Sequence, residues 1–379
     1  MCIPDSGLLL VDKPQGVTSH DIVACARHLL HTKRVGHAGT LDPMATGLLI
    51  IGFGNATRLL NYMLGHNKTY EAVIRLGEAT TTDDAEGEIL PDDALNIGPG
   101  VHVANSDTSF ESSLSFEKQL SFEKQLSFER IKQVVSENLV GKIMQAPTAF
   151  SAIKINGQRA YDLAREGKSV EIAPREIFVS DFSVSNPRIT RGVSGKLVCD
   201  ISAKVSCSSG TYIRALARDL GRLLGVGGHL IQLRRTSVGD FSVTDSRVLK
   251  LRAQMREFTD RNGVLQHRSK AVPSDDFDAN NMLPKICLNM MDAASYSLPT
   301  LSIDENQAKD LRFGRWIELK SGINYENYPA IAYVPNANTA ECDVVAVVEL
   351  TKNIKSNQIK PIVVFPASEK TGKLDKYLK

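Results

Sequence analysis

The sequence Arg34-Val35-Gly36-His37-Ala38-Gly39-Thr40-Leu41-Asp42-Pro43-Met44-Ala45-Thr46-Gly47 places one carboxylate in a glycine-rich loop that runs directly into the apolar stretch Leu48-Leu49-Ile50-Ile51. Because Pro43 disfavours the helical region for the residue before it, we expect Asp42 in an extended backbone with its side chain at a defined angle. The surrounding glycines allow a ligand to approach closely. Asp42 is therefore the strongest catalytic candidate, and the alternative is an Asp-Pro turn that closes a surface loop.

The length and composition predict a globular protein of two domains with reduced cysteines. At 379 residues the chain exceeds the size at which one hydrophobic core usually stops growing. Its net charge of +2 leaves any attraction for nucleic acid to local basic patches. The six cysteines form no Cys-x-x-Cys pair, and no apolar run is long enough to span a membrane. We therefore expect a cytoplasmic protein without a membrane-spanning segment.

Two alternating patterns predict long strands. In Tyr70-Glu71-Ala72-Val73-Ile74-Arg75-Leu76 the alternation places Tyr70 on the core-facing side of a strand. A second alternation over residues 197–207 leads through Ser209 and Gly210 into an amphipathic helix. Because strands and helices do not alternate as βαβ units, the sequence predicts an α+β fold with a mixed sheet and flanking helices.

Five ordered groups of residues resemble one known family. Residues 36–49, which contain Asp42, resemble the signature of the TruB-type tRNA pseudouridine synthases, which isomerise the uridine at position 55 in the T arm of tRNA. Four further groups agree in order and spacing, and all five together cover roughly residues 7–250. These further groups are residues 7–14 with 18–20, residues 68–72, residues 150–154 with 156–157, and residues 209–214 with 233–236.

The resemblance also implies a domain organisation. It implies the pseudouridine synthase fold, a largely antiparallel sheet with flanking helices, over residues 1–252, with a variable insertion at about residues 91–127. The repeat of six residues at 115–130 overlaps this insertion and is expected to carry no chemistry. Residues 253–295 are polar and predict a linker. Residues 296–379 resemble the small, mainly-β PUA-like domain of bacterial members, which implies an auxiliary RNA-binding role.

The reaction of this family requires a reactive carboxylate and no cofactor. The enzyme must break the bond between N1 and C1′, rotate the uracil, rejoin it through C5 and remove the C5 proton. An ionised Asp can attack C6 or C1′, or act as a base at the sugar, and the sequence leaves these routes open. By resemblance Asp42 is the essential residue, and Arg214 pairs with its carboxylate. Without the resemblance, Arg214 would be interpreted as a solvated helix residue.

A uridine in a folded T loop reaches a pocket only when it is flipped out, and the flipped base needs an apolar or aromatic surface. By resemblance Tyr70 stacks on the base, and its hydroxyl is a candidate for handling the C5 proton. Tyr212 lies beside the same pocket, Leu233 forms an apolar wall, and His37 contacts the substrate. Outside the family these residues would be interpreted as ordinary packing or loop residues.

The implied partner is tRNA, bound through its T stem-loop, and we expect the protein to act as a monomer. Basic residues around the motifs are candidates for contacts to the RNA backbone. They are Arg34, Arg58, Lys68, Lys154, Arg159, Arg234 and Arg235. His28 and His31 lack the further ligands of a zinc site, so the sequence predicts no metal.

Two functions from other classes compete with this hypothesis. One is a catalytically silent RNA-binding module, which does not require a carboxylate near an anionic ligand. The other is a nucleotide-binding enzyme that uses Gly52-Phe53-Gly54-Asn55-Ala56-Thr57 as a phosphate loop. That stretch lacks the third glycine and the lysine of the known phosphate-binding patterns.

Overall fold

A computed structural model describes residues 2–91, 126–151, 153–155, 157–166, 172–259, 263–318, 328–335, 342–350 and 358–367 of the chain. The strands are β1 (Gly7–Lys13), β2 (Val35–His37), β3 (Thr46–Phe53), β4 (Lys68–Leu76), β5 (Gly141–Gln145), β6 (Lys154–Ile155), β7 (Gln158–Arg159), β8 (Arg175–Arg191), β9 (Leu197–Cys207), β10 (Gly228–Val238), β11 (Phe241–Ser242), β12 (Leu249–Thr259), β13 (Leu265–Pro273), β14 (Thr300–Ser302), β15 (Ile317–Glu318), β16 (Ala330–Val334), β17 (Asp343–Leu350) and β18 (Gln358–Val364). The α-helices are α1 (Ser19–Leu29), α2 (Leu60–Leu64), α3 (Phe128–Asn138), α4 (Ala160–Arg165), α5 (Ile213–Leu224), α6 (Ala279–Ile286), α7 (Met290–Ser297) and α8 (Glu305–Arg312), and a 3-10 helix spans Gly54–Arg58.

Most strands belong to one large mixed sheet. Its order is β13-β12-β1-β3-β10-β4-β9-β8-β5, with β2 beside β3 and β11 beside β10. The pairs β1–β12 and β3–β10 are parallel, whereas the remaining pairs are antiparallel. The predicted α+β class, with a mixed and largely antiparallel sheet and flanking helices, is confirmed.

The first core lies between the centre of this sheet and helices α3 and α5. Tyr70 and Ile74 of β4 point into it, together with Leu216 and Leu220 of α5. The alternation therefore predicted the inward face of β4 correctly. Because α5 packs on this core, its first turn, which carries Arg214, lies against the sheet near Tyr70.

Strands β1 and β3 are buried on both faces. Leu8, Leu10, Leu48 and Ile50 point to one side, where they pack with α7 and the second sheet, and the intervening residues point to the other side, towards α1. A strand covered on both faces has a continuous apolar sequence instead of an alternating one. The apolar run after the Asp42 loop has this character, and it anchors the loop in the centre of the molecule.

The C-terminal part forms a second, five-stranded sheet in the order β14-β16-β17-β18-β15. Helix α8 packs against it through Ala308 and Leu311. The PUA-like resemblance predicted a small, mainly-β unit at this place, and the chain has one. The division of the chain into the domains 1–252, 253–295 and 296–379 stays a prediction.

The prediction of an irregular linker at residues 253–295 is wrong for most of that segment. Strands β12 and β13 pair over nine residues each, from Leu251 with Pro273 to Thr259 with Leu265, and helices α6 and α7 follow. The segment is polar because the hairpin exposes most of its side chains. Backbone hydrogen bonds between two strands do not require apolar side chains, so polarity alone indicated a loop incorrectly.

The predicted insertion lies mainly outside the described residues. Of the repeat at 115–130, the structure describes only the last residues, where Ser127 caps α3 by accepting a hydrogen bond from the Arg130 N–H at 3.4 Å. The end of the repeat therefore leads into a capped amphipathic helix.

Candidate active site

The carboxylate of Asp42 and the guanidinium of Arg214 form an ion pair. Arg214 Nε lies 2.9 Å from Asp42 Oδ2. The Arg214 side chain is 6% exposed and that of Asp42 is 37% exposed, so the buried cation holds a carboxylate that remains open to solvent. An Arg–carboxylate hydrogen bond is charge-assisted and fixes the direction of the oxygen. The fold brings these two residues into contact although they are 172 positions apart in the sequence.

Three further acceptors fix the guanidinium of Arg214. Its Nη1 donates to the Thr82 carbonyl at 3.0 Å and lies 3.3 Å from Asp84 Oδ2, while its Nη2 donates to the Phe150 carbonyl at 3.0 Å. These contacts come from two different loops. The guanidinium therefore has little freedom to turn away from Asp42.

Asp84 is a residue of this site that the sequence analysis missed. Its side chain is buried, and Oδ1 accepts hydrogen bonds from Thr82 Oγ1 at 2.5 Å and from the Glu86 N–H at 3.1 Å. The signal in the sequence is Thr80-Thr81-Thr82-Asp83-Asp84, followed by Gly87, because Thr and Asp residues of this kind stabilise turns through side-chain hydrogen bonds. Nothing in that pattern indicated that one carboxylate would face Arg214.

The last residue of β1, Lys13, supports the Asp42 loop. The Lys13 ammonium, which is fully buried, donates to the carbonyls of Ala45 at 2.7 Å, Pro14 at 3.0 Å and Pro43 at 3.3 Å. Burial lowers the pKa of Lys13 from 10.5 to about 8, against the charge of Asp42, which raises it. Lys13 thus holds the part of the loop that follows Asp42, through the Pro43 and Ala45 carbonyls, and has no ion-pair contact of its own among the described residues.

Helix α1 supports the same loop from a second direction. Ser19 Oγ accepts a hydrogen bond from the Leu41 N–H at 2.9 Å and donates to the Leu41 carbonyl at 3.1 Å. The preceding residue, Thr18, caps the helix in a capping box with Asp21. The sequence analysis included residues 18–20 in the resemblance without giving them this role. The backbone immediately before Asp42 is therefore fixed by a helix N-terminus.

Arg235 is a buried structural residue, so the prediction that it contacts the RNA backbone is wrong. Its side chain is 1% exposed, and its guanidinium donates to the carbonyls of Leu48 at 2.8 Å and Gly39 at 3.1 Å, with the Thr40 carbonyl at 3.5 Å. The basic pair at 234–235 lies on a strand, whose alternation points one residue outwards and the next inwards. Arg235 therefore holds the Asp42 loop against β3.

Lys68 is also buried, which overturns its predicted contact with RNA. Its ammonium donates to the carbonyls of His66 at 2.6 Å and Leu64 at 2.7 Å. Burial lowers the pKa of Lys68 to about 8, and the nearby charge of Arg235 lowers it further. A lysine that closes the end of α2 in this way cannot reach a phosphate without leaving its site.

The other predicted RNA-binding residues have different surroundings. Arg34 is exposed and donates to Asn55 Oδ1 at 2.9 Å, and Arg234 forms a two-pronged ion pair with Asp12 at 2.7 and 3.0 Å. Arg58 donates to the Val364 carbonyl and lies over the ring of Phe365. Arg58 therefore connects the first sheet to the second. The side chains of Lys154 and Arg159 lie outside the described residues.

Tyr70, Leu233 and the residues around Asp42 share one apolar cluster. Tyr70 and Leu233 are both buried, and Leu41 and Met44 belong to the same cluster. Burial raises the pKa of Tyr70, whose hydroxyl also interacts with Arg235. Tyr70 therefore keeps its proton at neutral pH. The predicted ring and the predicted apolar wall lie together beside the Asp42 loop.

Tyr212 is positioned by a buried glutamine. The Tyr212 N–H donates to Gln145 Oε1 at 2.9 Å, and Gln145 Nε2 donates to the Tyr212 carbonyl at 3.1 Å. Burial also raises the pKa of Tyr212. Because Tyr212 precedes α5 directly, this pair of bonds also fixes the start of the helix that carries Arg214.

His37 is half-buried in β2 and meets a second histidine. Its ring and that of His20 lie edge to face, with centroids 5.9 Å apart. Burial lowers the pKa of His37, and the charges of His20 and Arg235 act in the same direction. Among the described residues, His37 Nδ1 is buried without a hydrogen-bond partner. The imidazole is therefore neutral and is held near the loop that leads to Asp42.

Two family models match the chain along its first two thirds. One, described as TruB family pseudouridylate synthase (N terminal domain), matches residues 27–100 and 100–213, and the other, described as tRNA pseudouridylate synthase B C-terminal domain, matches residues 214–265. The chain belongs to the TruB family. The resemblance identified from the sequence is confirmed.

Curated relatives of this TruB-family chain match it over nearly its whole length. A tRNA pseudouridine synthase B of Bifidobacterium longum subsp. infantis is 43% identical over 95% of the chain and 98% of its own length. A tRNA pseudouridine synthase B of an Arthrobacter species is 39% identical over 97% of the chain and 99% of its own length. The matches therefore include the second sheet as well as the first.

Solved structures show the same fold at lower sequence identity. The TruB-family chain matches a chain of a Cbf5-Nop10-Gar1 complex with a TM-score of 0.56 and 21% identity, over 96% of its length and 85% of that chain. A chain of an H/ACA RNP bound to a substrate RNA containing 2′-deoxyuridine gives a TM-score of 0.54 at 21% identity, over 95% and 85% of the two chains.

Two kinds of feature are absent from the described part of this TruB-family protein. No helix there is long and apolar enough to cross a membrane. No group of three or more His, Cys, Asp or Glu side chains there is placed to hold a metal ion.

Proposed function

We propose that this TruB-family chain isomerises uridine to pseudouridine at position 55 in the T loop of tRNA, with Asp42 as the reacting carboxylate and without a cofactor. One observation carries the proposal: a half-exposed carboxylate in a supported loop is held at 2.9 Å by the buried guanidinium of Arg214. The relatives that match the chain over nearly its whole length are named as enzymes of this reaction.

The chemistry follows from the position of the carboxylate. Asp42 provides the oxygen that acts while the bond between N1 and C1′ is broken, either as a nucleophile at C6 or C1′ or as a base at the sugar. Arg214 orients that oxygen, and a preorganised charge-assisted contact costs little rearrangement during the reaction. The uracil then rotates, C5 bonds to C1′, and the C5 proton leaves.

Tyr70 is proposed to stack on the flipped base and to handle the C5 proton through its hydroxyl. A stacked base gains about 1 to 3 kcal/mol, which offsets much of the cost of unstacking it from the T loop. Because burial raises the pKa of Tyr70, the phenol is neutral and can donate a proton or a hydrogen bond. Tyr212 and Leu233 form the remaining walls of the pocket. His37 contacts the RNA near the gap that the flipped base leaves among the stacked bases of the T loop.

The proposed partner is the T stem-loop of tRNA, and the proposed acting form is a cytoplasmic monomer. The part of the chain after residue 296 is proposed to be a PUA-like unit that adds an RNA contact. Of the RNA backbone contacts expected from the sequence, those of Arg34, Arg58, Lys154, Arg159 and Arg234 are proposed here. Arg34 and Arg58 are exposed, and Arg234 is partly exposed. Sedimentation of the protein with and without tRNA tests the oligomeric state.

A tritium-release assay tests the proposed function. A tRNA transcript labelled at C5 of uridine 55 should release tritium with the wild type, whereas Asp42→Asn should release none while still binding the tRNA. A transcript with cytidine at position 55 and label at other uridines should release none. Normal release by Asp42→Asn, or binding without release by the wild type, would contradict the proposal, and the latter result would favour a silent RNA-binding module.

A further inference from the structure

The hairpin formed by β12 and β13 has an unequal distribution of charge. Its two strands contain five cations and, apart from His267, one other ionisable residue, Glu257. The register places Arg256 opposite Arg268 and Lys270 opposite Gln254. Since side chains two residues apart share a face, all five cations lie on one face, while Glu257 lies on the other. We name this face the cationic face. Its members are Lys250, Arg252, Arg256, Arg268 and Lys270.

The cationic face is largely exposed: Lys250, Arg252, Arg256 and Arg268 are exposed and Lys270 is partly exposed. Beyond Leu249 and Lys250, which pair with β1, the two strands pair only with each other in the part of the chain that the structure describes. Nine residues of β12 therefore extend beyond the main sheet by about 30 Å at the usual rise per residue. The side chain of Arg268 is 68% exposed, and Phe258 presents an exposed ring on the same face near the tip.

The arrangement is unfavourable for the isolated hairpin. Like charges that face each other directly across two strands destabilise the pair, and Arg256 faces Arg268. Within the described residues, Arg268 pairs with Asp21 and Arg252 with Asp275, whereas Arg256, Lys250 and Lys270 have no ion-pair partner. An external anion would remove this repulsion.

Protection of exposed strand edges does not explain the pattern. Charged side chains on edge strands prevent pairing with other chains, and both strands of this hairpin have open edges. Charges of either sign, on either face of the hairpin, would prevent such pairing equally well. Preventing it does not require five charges of one sign on one face.

The middle of the cationic face contacts the helix that supports the candidate active site. Arg268 Nη2 lies 3.0 Å from Asp21 Oδ1 in the first turn of α1. In the same turn, Ser19 holds the backbone of Leu41, the residue before Asp42. One helical turn therefore connects the hairpin to the loop that carries the reacting carboxylate. A long anion that enters this site is well placed to continue along the hairpin.

We propose that the cationic face binds the phosphate backbone of the substrate tRNA outside the nucleotide that enters the Asp42 pocket. This inference rests on the proposed function, because it takes the anion to be the tRNA. The complementary charge and the extended, exposed shape fit a polyanion, and backbone contacts of this kind position the RNA without recognising its sequence.

Binding of tRNA as a function of salt tests the proposal. The variant Arg256→Gln/Lys270→Gln should weaken the binding of an unmodified tRNA transcript about tenfold at low salt and reduce the slope of log K against log salt by about 2. The variant Arg256→Lys/Lys270→Arg keeps both charges and should bind like the wild type. Glu257→Gln, on the opposite face, should not weaken binding. The rate of pseudouridine formation at saturating tRNA should stay at the wild-type value in all three variants.

Several results would overturn the inference. An unchanged dissociation constant and salt slope for the double Gln variant would do so, and so would equal losses in the charge-retaining variant. A change in sedimentation without a change in tRNA binding would assign the face to a second copy of the chain instead. The wild type is assayed for tritium release on the same transcript. No release would reject the proposed function, whereas normal release with unchanged binding by the variant would reject only this inference.

Discussion

Asp42 and Asp84 contact the same guanidinium: Arg214 Nε lies 2.9 Å from the first carboxylate and Nη1 lies 3.3 Å from the second. Of the two, Asp84 is buried, whereas Asp42 is open to solvent. The buried carboxylate balances the charge of Arg214 and fixes its orientation. Arg214, held in place in this way, can then fix the orientation of the exposed Asp42 carboxylate.

Asp84→Asn should slow catalysis without abolishing tRNA binding. Loss of the second carboxylate allows Arg214 to shift, and a misplacement of about 1 Å can reduce the rate about 100-fold. Single-turnover tritium release and a tRNA-binding titration measure the two effects separately. Glu86→Gln, a nearby carboxylate that does not contact Arg214, is the control and should remain near the wild-type rate. Equal rates for Asp84→Asn and the wild type would show that the Asp84 carboxylate is not needed to position Arg214.

Tyr70→Phe should keep the ring and lose the hydroxyl. If the phenol handles the C5 proton, single-turnover tritium release should fall by about 100-fold or more while the affinity for tRNA stays unchanged. Tyr70→Leu removes the ring as well and should additionally weaken binding, by up to about 1 to 3 kcal/mol. A Phe variant that releases tritium at the wild-type rate would restrict Tyr70 to stacking.

The buried ammonium of Lys13 should make stability depend on pH in the alkaline range. Its pKa in the folded protein is about 8, against 10.5 in the unfolded chain. Between these values the unfolded state holds one more proton, so the free energy of unfolding should rise with pH by up to about 1.4 kcal/mol per pH unit from this group. As the pH falls from 10.5 to 8 this gain is lost, and below pH 8 Lys13 is charged in both states and adds no further pH dependence.

The comparison with Lys13→Met isolates that contribution. Lys68, which shifts in the same direction, is present in both proteins and cancels. Urea unfolding at several values between pH 7.5 and 10 should give a difference between wild type and variant that changes in favour of the wild type as the pH rises. A constant difference over this range would mean that Lys13 is not desolvated in the folded state.

Arg235→Gln should reduce stability and leave the salt dependence of tRNA binding unchanged. The substitution leaves the carbonyls of Gly39 and Leu48 without their charged donor, and each unsatisfied buried group costs about 1 to 3 kcal/mol. Chemical denaturation should show a loss of about 2 to 5 kcal/mol. Arg34→Gln, at an exposed position, should cost less than about 0.5 kcal/mol. A reduced salt slope in a folded Arg235→Gln protein would restore Arg235 as a phosphate contact.

The sequence predicted those features that depend on local pattern. The alternation in β4 placed Tyr70 inwards, and the loop before the apolar run of β3 identified Asp42. The contact of Asp84 with Arg214 joins two segments 130 residues apart, and no local pattern encodes such a contact. The burial of Arg235 also depends on which carbonyls a distant loop presents to it.

For the hairpin formed by β12 and β13, local composition gave the wrong prediction. Polar composition indicated an irregular linker, but the strand pairing of residues 251–259 with 265–273 needs only backbone groups. What the sequence did contain was the period of two that separates the five cations from Glu257. That period has meaning only when the register of the two strands is known.

The apolar cluster beneath β1 and β3 joins the two sheets. Leu8 and Ile50 of the first sheet pack in one cluster with Val347 and Phe365 of the second, and Arg58 crosses the boundary to the Val364 carbonyl. A gene shortened to end before residue 299 would leave this apolar surface facing water. The two sheets should therefore melt in one cooperative transition, and the shorter product should aggregate before any catalytic defect could be measured.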